Sequence, residues 1–208
     1  MDRRSLFTRS ITTPVAAAPP AGTAGRVIQY STAADAGPGA KYIPNVMVRT
    51  HEGKAVRFYD DLIKGRVVLF NMFYVRCEGI CLGMTANLLR VQKALGDRVG
   101  RDVFMYSITL KPEEDTPEVL KRYAEAYKVR PGWTFLTGRG YDLEMLRLKL
   151  GFRDPDPVLD RDRSSHTGVV RYGNETLARW GAMPALSTVK EIVKAVSWMT
   201  DPPQKKPV

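Results

Sequence analysis

The run Val67-Val68-Leu69-Phe70-Asn71-Met72-Phe73 does most to limit how this chain can fold. It is too short for a buried helix and too continuously apolar for a strand with one face in water. Preceded by Gly65, it reads as a strand covered on both faces. Such a strand needs neighbours on either side and helices above and below. The next apolar pattern supplies one of those helices: Met84, Leu88, Val91 and Leu95 recur at spacings of four, three and four, and Gly96 closes the stripe.

The rest of the chain continues the alternation. Asn45 to Thr50 and Ala55 to Tyr59 read as short strands around a turn at His51-Glu52-Gly53-Lys54. Val103 to Leu110 is a second buried strand. Thr116-Pro117-Glu118 then starts a helix, with a hydroxyl cap, a proline in the first turn and an acid at the positive end of the dipole, running to about Val129. A short strand at Thr134 to Leu136 and a helix from Asp142 to Leu150, ending at Gly151, follow. Residues 153–165 read as a charged loop. Thr167 to Tyr172 and Thr176 to Trp180 suit a hairpin around Gly173-Asn174-Glu175, and Thr188 with Glu191 forms a capping box for the last helix. Pro202 and Pro203 stop that helix. This order predicts an α/β chain with a central mixed sheet and helices on both faces, for which the thioredoxin fold is the best-known solution.

Composition narrows the class further. Hydrophobic residues make up 44% and charged residues 26% of the 208, which excludes a mostly disordered chain. No apolar run approaches the ~18 residues that a membrane-crossing helix requires. The formal charge of +10, from 32 basic and 22 acidic residues, favours acidic partners or a peripheral contact with a membrane surface. Nucleic acid is the weakest of these readings, because the basic residues are interleaved with acids and form no run.

At the N-terminus, Arg3-Arg4-Ser5-Leu6-Phe7 resembles a twin-arginine export signal, and the small residues at Ala16-Ala17-Ala18 and Ala21-Gly22-Thr23-Ala24 suit a cleavage site. The expected organisation is an export segment and linker over 1–40, a domain over 41–200 and a tail over 201–208, with the protein in the periplasm.

Cys77 and Cys81 are the chain's 2 cysteines, and they stand at the junction of the buried strand and the following helix. A disulfide scaffold would use more cysteines at wider spacing, so the pair points to a redox or a metal site. Four residues apart, they are expected to share a helix face, where the helix N-terminus favours both thiolates. Thiolates suit copper(I) and are also the nucleophiles of disulfide exchange. A metal held with useful affinity needs a third ligand, and the chain has 2 histidines. His51, in a predicted turn, reads as a surface imidazole. His166, between the charged loop and an apolar strand, is the candidate ligand. Met72 and Met84 read as core filler despite their thioethers, and Trp133, Trp180 and Trp198 as core aromatics. Asp115 reads as a helix-start acid, with support of the site as the alternative. Glu78 either tunes the site or is simply solvated.

These residues resemble a known family. Phe70-Asn71-Met72-Phe73-Tyr74-Val75-Arg76-Cys77-Glu78-Gly79-Ile80-Cys81 is similar to the metal-site segment of the Sco/SenC copper chaperones. Ser107 to Leu120, with Lys111-Pro112 and Asp115-Thr116-Pro117, is similar to that family's second signature, Trp133 to Gly138 follows in place, and His166-Thr167 matches its distal histidine. The resemblance covers roughly residues 45–198. It implies a thioredoxin-like fold and a copper ion, Cu(I) or Cu(II), held by Cys77, Cys81 and His166. The function it implies is delivery of copper from a donor protein to a respiratory enzyme, such as the CuA site of cytochrome c oxidase. Three departures from the pattern stand out: Glu78 and Leu82 replace the prolines after the cysteines, Lys111 replaces an Asp before Pro112, and Ser165 replaces an acid before His166.

The alternative is a thiol–disulfide oxidoreductase that reduces the cysteines of a client copper site, with Cys77 attacking and Cys81 resolving. A thioredoxin-like module with a structural bridge is a third possibility. A peroxidase fits less well, since only Arg76 of the expected Thr and Arg arrangement stands near Cys77.

Overall fold

A computed structural model describes residues 37–77, 79–162 and 168–200. Seven strands form one mixed sheet: β1 (Met47–Thr50), β2 (Ala55–Arg57), β3 (Val67–Phe73), β4 (Val103–Thr109), β5 (Trp133–Gly138), β6 (Val169–Asn174) and β7 (Arg179–Pro184). Their order across the sheet is β2-β1-β5-β4-β3-β6-β7. The central strands β3, β4 and β5 are parallel and the outer pairings are antiparallel. The helices are α1 (Cys81–Leu95), α2 (Pro117–Ala126), α3 (Gly140–Lys149), α4 (Pro157–Arg161) and α5 (Val189–Thr200). The result is the predicted thioredoxin-like arrangement, with α1 packed on α5 and α2 and α3 packed against β5.

β3 is buried along its whole length, as its continuous apolar run requires. It lies between β4 and β6, so no edge of it is open. Phe58, Phe70, Phe73 and Phe135 are all at most 1% exposed. Burying one such ring contributes about 1.5–3 kcal/mol, so these four rings are a main source of stability. A polar triad is paired inside the core: the Ser107 hydroxyl donates to Asn71 Oδ1 (2.8 Å) and accepts from Trp133 Nε1 (2.9 Å). Among the described residues, no helix is long and apolar enough to cross a membrane.

The local signals for α1, α2 and α5 hold. Gly96 takes a positive φ of 59° at the end of α1, a conformation that carries little penalty without a Cβ. Thr116 caps α2 by accepting from the Val119 amide. Thr188 and Glu191 exchange the reciprocal capping-box bonds.

Four expectations need correction. α2 stops at Ala126 rather than about Val129, with Lys128 at a positive φ of 53°. The stretch after β2 is not strand to Tyr59: Phe58–Ile63 form a wide π-type turn that buries Phe58, Tyr59, Leu62 and Ile63. The charged loop contains the short helix α4, capped by Asp156. The second hairpin strand is Arg179–Pro184, not Thr176 to Trp180. It is displaced because Glu175 turns inward, where its carboxylate accepts from Gly39 N (2.8 Å), the Tyr59 hydroxyl (2.7 Å) and Gly65 N (2.9 Å). Those bonds also hold the short turn Pro38–Lys41, part of the segment expected to be linker, to the end of the sheet.

Trp133 is a core residue, but Trp180 and Trp198 are 41% and 59% exposed. Trp180 sits on the edge strand β7 and tilts against Phe70, while Trp198 lies on the outer side of α5 beneath the Arg179 guanidinium.

Candidate metal centre

The parallel strand β3 delivers the chain to the C-terminal end of the sheet, where ligands bind in open α/β folds. Residues 74–80 make the crossing to α1. Their backbone is held from outside by Asp115, a buried residue whose carboxylate accepts from Val75 N (3.1 Å) and the Thr109 hydroxyl (2.5 Å). Asp115 therefore supports the loop before Cys77 directly, which is more than a helix-start acid does.

Cys81 is the first residue of α1 and Cys77 lies in the loop before it, so the two do not share a helix face as expected. The turn between them brings the sulfurs together instead. Both are buried free thiols, close enough for each to shift the other's titration. Around Cys77 the backbone amides of Cys81 and Gly79 and the Tyr74 hydroxyl favour the thiolate form. Burial alone would raise the Cys77 thiol, but these donors outweigh it and hold it below the ordinary thiol range. Cys81 behaves in the opposite way: deeper burial, then the neighbouring Cys77, push it up to about 12. The expectation that the helix end favours both thiolates is thus corrected to one.

His51 lies in the predicted turn but is half-buried rather than a surface imidazole. Its Nδ1 accepts from the Phe135 amide (3.1 Å) and its ring meets the Phe135 ring edge-on, so it is committed to the structure. Met72 and Met84 are core side chains, at most 1% exposed. His166 and Glu78 lie outside the described residues, as do the export-like segment and the tail. The two described residues that border 163–167 are informative. Gly168 lies against the Ile80 side chain, next to Cys81. Asp162 is close enough to Tyr74 to act on it electrostatically. Among the described residues, no three His, Cys, Asp or Glu side chains converge as a metal cluster. What the described residues offer a metal is the pair of soft sulfurs, a donor set suited to Cu(I).

Tyr74 and Lys111, to which the sequence assigns no role, meet at this end of the sheet. Tyr74 is 5% exposed, and Lys111 stands over its ring with Nζ 4.5 Å from the centroid. The signal for Tyr74 was its place at the end of a buried strand, where a phenol must find a hydrogen-bond partner.

The comparisons with known proteins agree with this geometry. The SCO1 protein homolog of Bacillus subtilis (strain 168) is 36% identical over 91 residues, which are 43% of this chain and 46% of that protein. The matched part thus spans about half the length of that relative. The structure resembles BsSco, a member of the Sco family of cytochrome c oxidase assembly proteins in which a disulfide switch was identified. The TM-score is 0.62 at 25% identity, over 76% of this chain and 93% of that one. It also resembles copper-bound ScoI of Bradyrhizobium japonicum, with a TM-score of 0.59 at 22% identity, over 74% of this chain and 96% of that one. The SCO1/SenC family model matches residues 42–170, more than half of the sequence. With the free cysteine pair at the end of β3 and this match over the domain that carries it, the chain belongs to the SCO1/SenC family.

Proposed function

We propose that this protein is a copper chaperone that holds copper as cargo on Cys77, Cys81 and His166 and passes it to a respiratory copper enzyme, such as the CuA-type site of cytochrome c oxidase. The observation that carries the reading is the pair of buried cysteine side chains, Cys77 and Cys81, gathered between β3 and α1. Two further observations support it: Gly168, which borders 163–167, lies against Ile80, the residue before Cys81, and a member of the same fold was solved with copper bound. Transfer would proceed by ligand exchange, an incoming donor sulfur binding the copper as one of the two thiolates leaves. A copper donor protein would load the site by the reverse exchange.

The organisation proposed with this function is an export segment and linker over 1–40, the Sco domain over 41–200 and a short tail over 201–208, with the domain working in the periplasm after twin-arginine export. The excess positive charge suits docking on an acidic partner or a membrane surface.

A second reading is favoured by the unequal sulfurs and by the disulfide switch of BsSco. In it, Cys77 attacks a client disulfide, forming a mixed disulfide and releasing one client thiolate. Cys81 then attacks Cys77, releasing the second client thiolate, and the pair ends as the Cys77–Cys81 disulfide with two electrons passed to the client.

Anaerobic copper titration of the reduced protein, wild type beside His166→Ala, tests the first reading. Tight one-to-one binding that collapses in the variant is expected. Weak binding, or equal binding by both, removes His166 from the site and leaves the disulfide reading, for which His166→Ala should keep exchange activity.

A further inference from the structure

Single exposed aliphatic side chains are common on a folded domain and need no explanation. Three here stand together around the start of α1. Ile80 and Leu82 flank Cys81 and are both exposed. Leu186, 54% exposed, sits in the turn from β7 to α5 and lies against Gly83, where a Cβ would come within 3.4 Å of its side chain. The group is held in place. The buried Asn87 side chain donates to the carbonyls on either side of Leu186, those of Ala185 and Ser187 (2.8 Å each). The Ala185 amide donates to the Gly168 carbonyl (2.7 Å), and Gly168 packs so closely on Ile80 that a Cβ there would fall 2.3 Å from Ile80 Cδ1. A turn pinned to α1 that still presents its leucine to water gives up little freedom when a partner covers it.

On the α2 side of the same helix start, a groove of about 480 Å³ runs between Val75-Arg76 and Val119-Arg122. Arg76 and Arg122 are exposed and have no hydrogen-bond or ion-pair partner among the described residues. The acids of the groove are already engaged. Glu114 pairs with Lys111 (3.5 Å), and Asp115 accepts from Val75 N and the Thr109 hydroxyl.

We infer that Ile80, Leu82 and Leu186 form a preorganised docking face beside the cysteine pair, flanked by Arg76 and Arg122, for an acidic protein that carries an apolar patch next to its own metal-binding thiols. The inference rests on the copper-transfer reading and supplies the surface that reading needs, because an incoming sulfur reaches a buried pair only when its protein seats closely beside it. An apolar centre with charge at its rim is the ordinary anatomy of a protein interface, and the two arginines set the sign of the partner. A second copy of this chain would instead bring the same arginines and a formal charge of +10 against them.

The test uses the full chain and the soluble CuA domain of a cytochrome c oxidase, the client class proposed above, both reduced and copper-free. Docking is titrated at low and at physiological salt. Leu186→Ser is expected to weaken it by on the order of fivefold to tenfold, and Leu186→Met to stay close to wild type. Because Asn87 holds the backbone on both sides of Leu186, the Ser variant should melt with the wild type. Arg122→Gln should weaken docking by about twofold to fivefold at low salt and flatten its salt dependence. Leu177, also exposed, lies between β6 and β7 at the opposite end of β3 from the cysteines, so Leu177→Ser should dock as wild type does. Wild-type docking by both Leu186→Ser and Arg122→Gln overturns the face, as does a wild type that does not dock. Self-association that Leu186→Ser abolishes, with client docking unchanged, overturns it too.

Copper uptake is titrated separately. If the wild type takes up no copper while Leu186→Ser still loses docking, the copper reading fails and the face stands, serving thiol–disulfide exchange. If copper binds one-to-one and docking ignores Leu186 and Arg122, the face alone fails.

Discussion

Arg147 and Asp160 meet in parallel, with Nη1 to Oδ1 at 2.6 Å and Nη2 to Oδ2 at 2.9 Å. Arg147 also donates to both Glu144 carboxylate oxygens and to the Phe152 carbonyl, while Asp160 accepts from the Asp154 amide. The pair fastens α4 to α3 and thereby fixes the chain that leads to Asp162, which acts electrostatically on Tyr74. Both side chains are largely buried. Removing one partner of a buried pair leaves the other charge uncompensated and costs about 3–5 kcal/mol. Arg147→Met should lose stability on that scale in chemical denaturation, and Arg147→Met with Asp160→Leu should recover part of it. A double variant no more stable than the single one would show that packing, rather than the pair, is at stake.

The Glu175 carboxylate makes a prediction with a definite sign. Burial pushes it up, but the Tyr59 hydroxyl and the Gly39 and Gly65 amides outweigh burial and hold it below the ordinary carboxylate range. A depressed folded value means that its stabilisation is fully present above the unfolded value of about 4.3, and is lost as pH falls through the folded one. Glu175→Gln should therefore be less stable than wild type at neutral pH by about 1–3 kcal/mol, and the gap should close in acid. The Gly39 amide should exchange faster in the variant. An equal gap at neutral and acidic pH would contradict the ionised clamp.

The same residue shows what was legible in the sequence and what was not. The parallel core β3-β4-β5 and the long helices are written in local periodicity: a near-continuous apolar run, a stripe at helical spacing, a cap followed by proline. Glu175 looked like a turn residue because its three partners lie at Gly39, Tyr59 and Gly65, more than a hundred positions away. The hairpin register slipped with it. At the site, the cysteine pair was plain from composition and spacing. The inequality of the two sulfurs was not, since it depends on the polar groups gathered around each and on which is buried deeper. Lys111 was visible only as a departure, and its meaning came with the ring beneath it.

That inequality can be measured by alkylation. Cys77 is held below the usual thiol range despite burial, while Cys81 is pushed up to about 12. The thiolate is the reactive form. Limiting iodoacetamide near neutral pH should modify Cys77 first, with a preference on the order of tenfold or more, read by mass spectrometry of the 77–81 peptide. Equal labelling, or Cys81 first, would reverse the assignment of the attacking sulfur.

Asp115 behaves in the opposite sense to Glu175. Burial dominates its environment and raises it above the ordinary carboxylate range, although the Thr109 hydroxyl and the Val75 amide pull it down. A raised folded value means that the fold prefers the neutral carboxyl. The contribution is fully present below the unfolded value of about 3.9, and is lost as pH rises through the folded value. Asp115→Asn keeps an acceptor for Val75 and Thr109 without the buried charge, so at neutral pH it should match or exceed the wild type in stability. Asp115→Ala leaves both donors unpaired and should cost about 1–3 kcal/mol for each group that stays buried. Because Val75 lies two residues before Cys77, the Ala variant should also loosen the loop that presents that sulfur, seen as faster exchange of the Val75 amide. An Asn variant as unstable as the Ala variant at neutral pH would mean that the charge itself, rather than the acceptor, holds this loop.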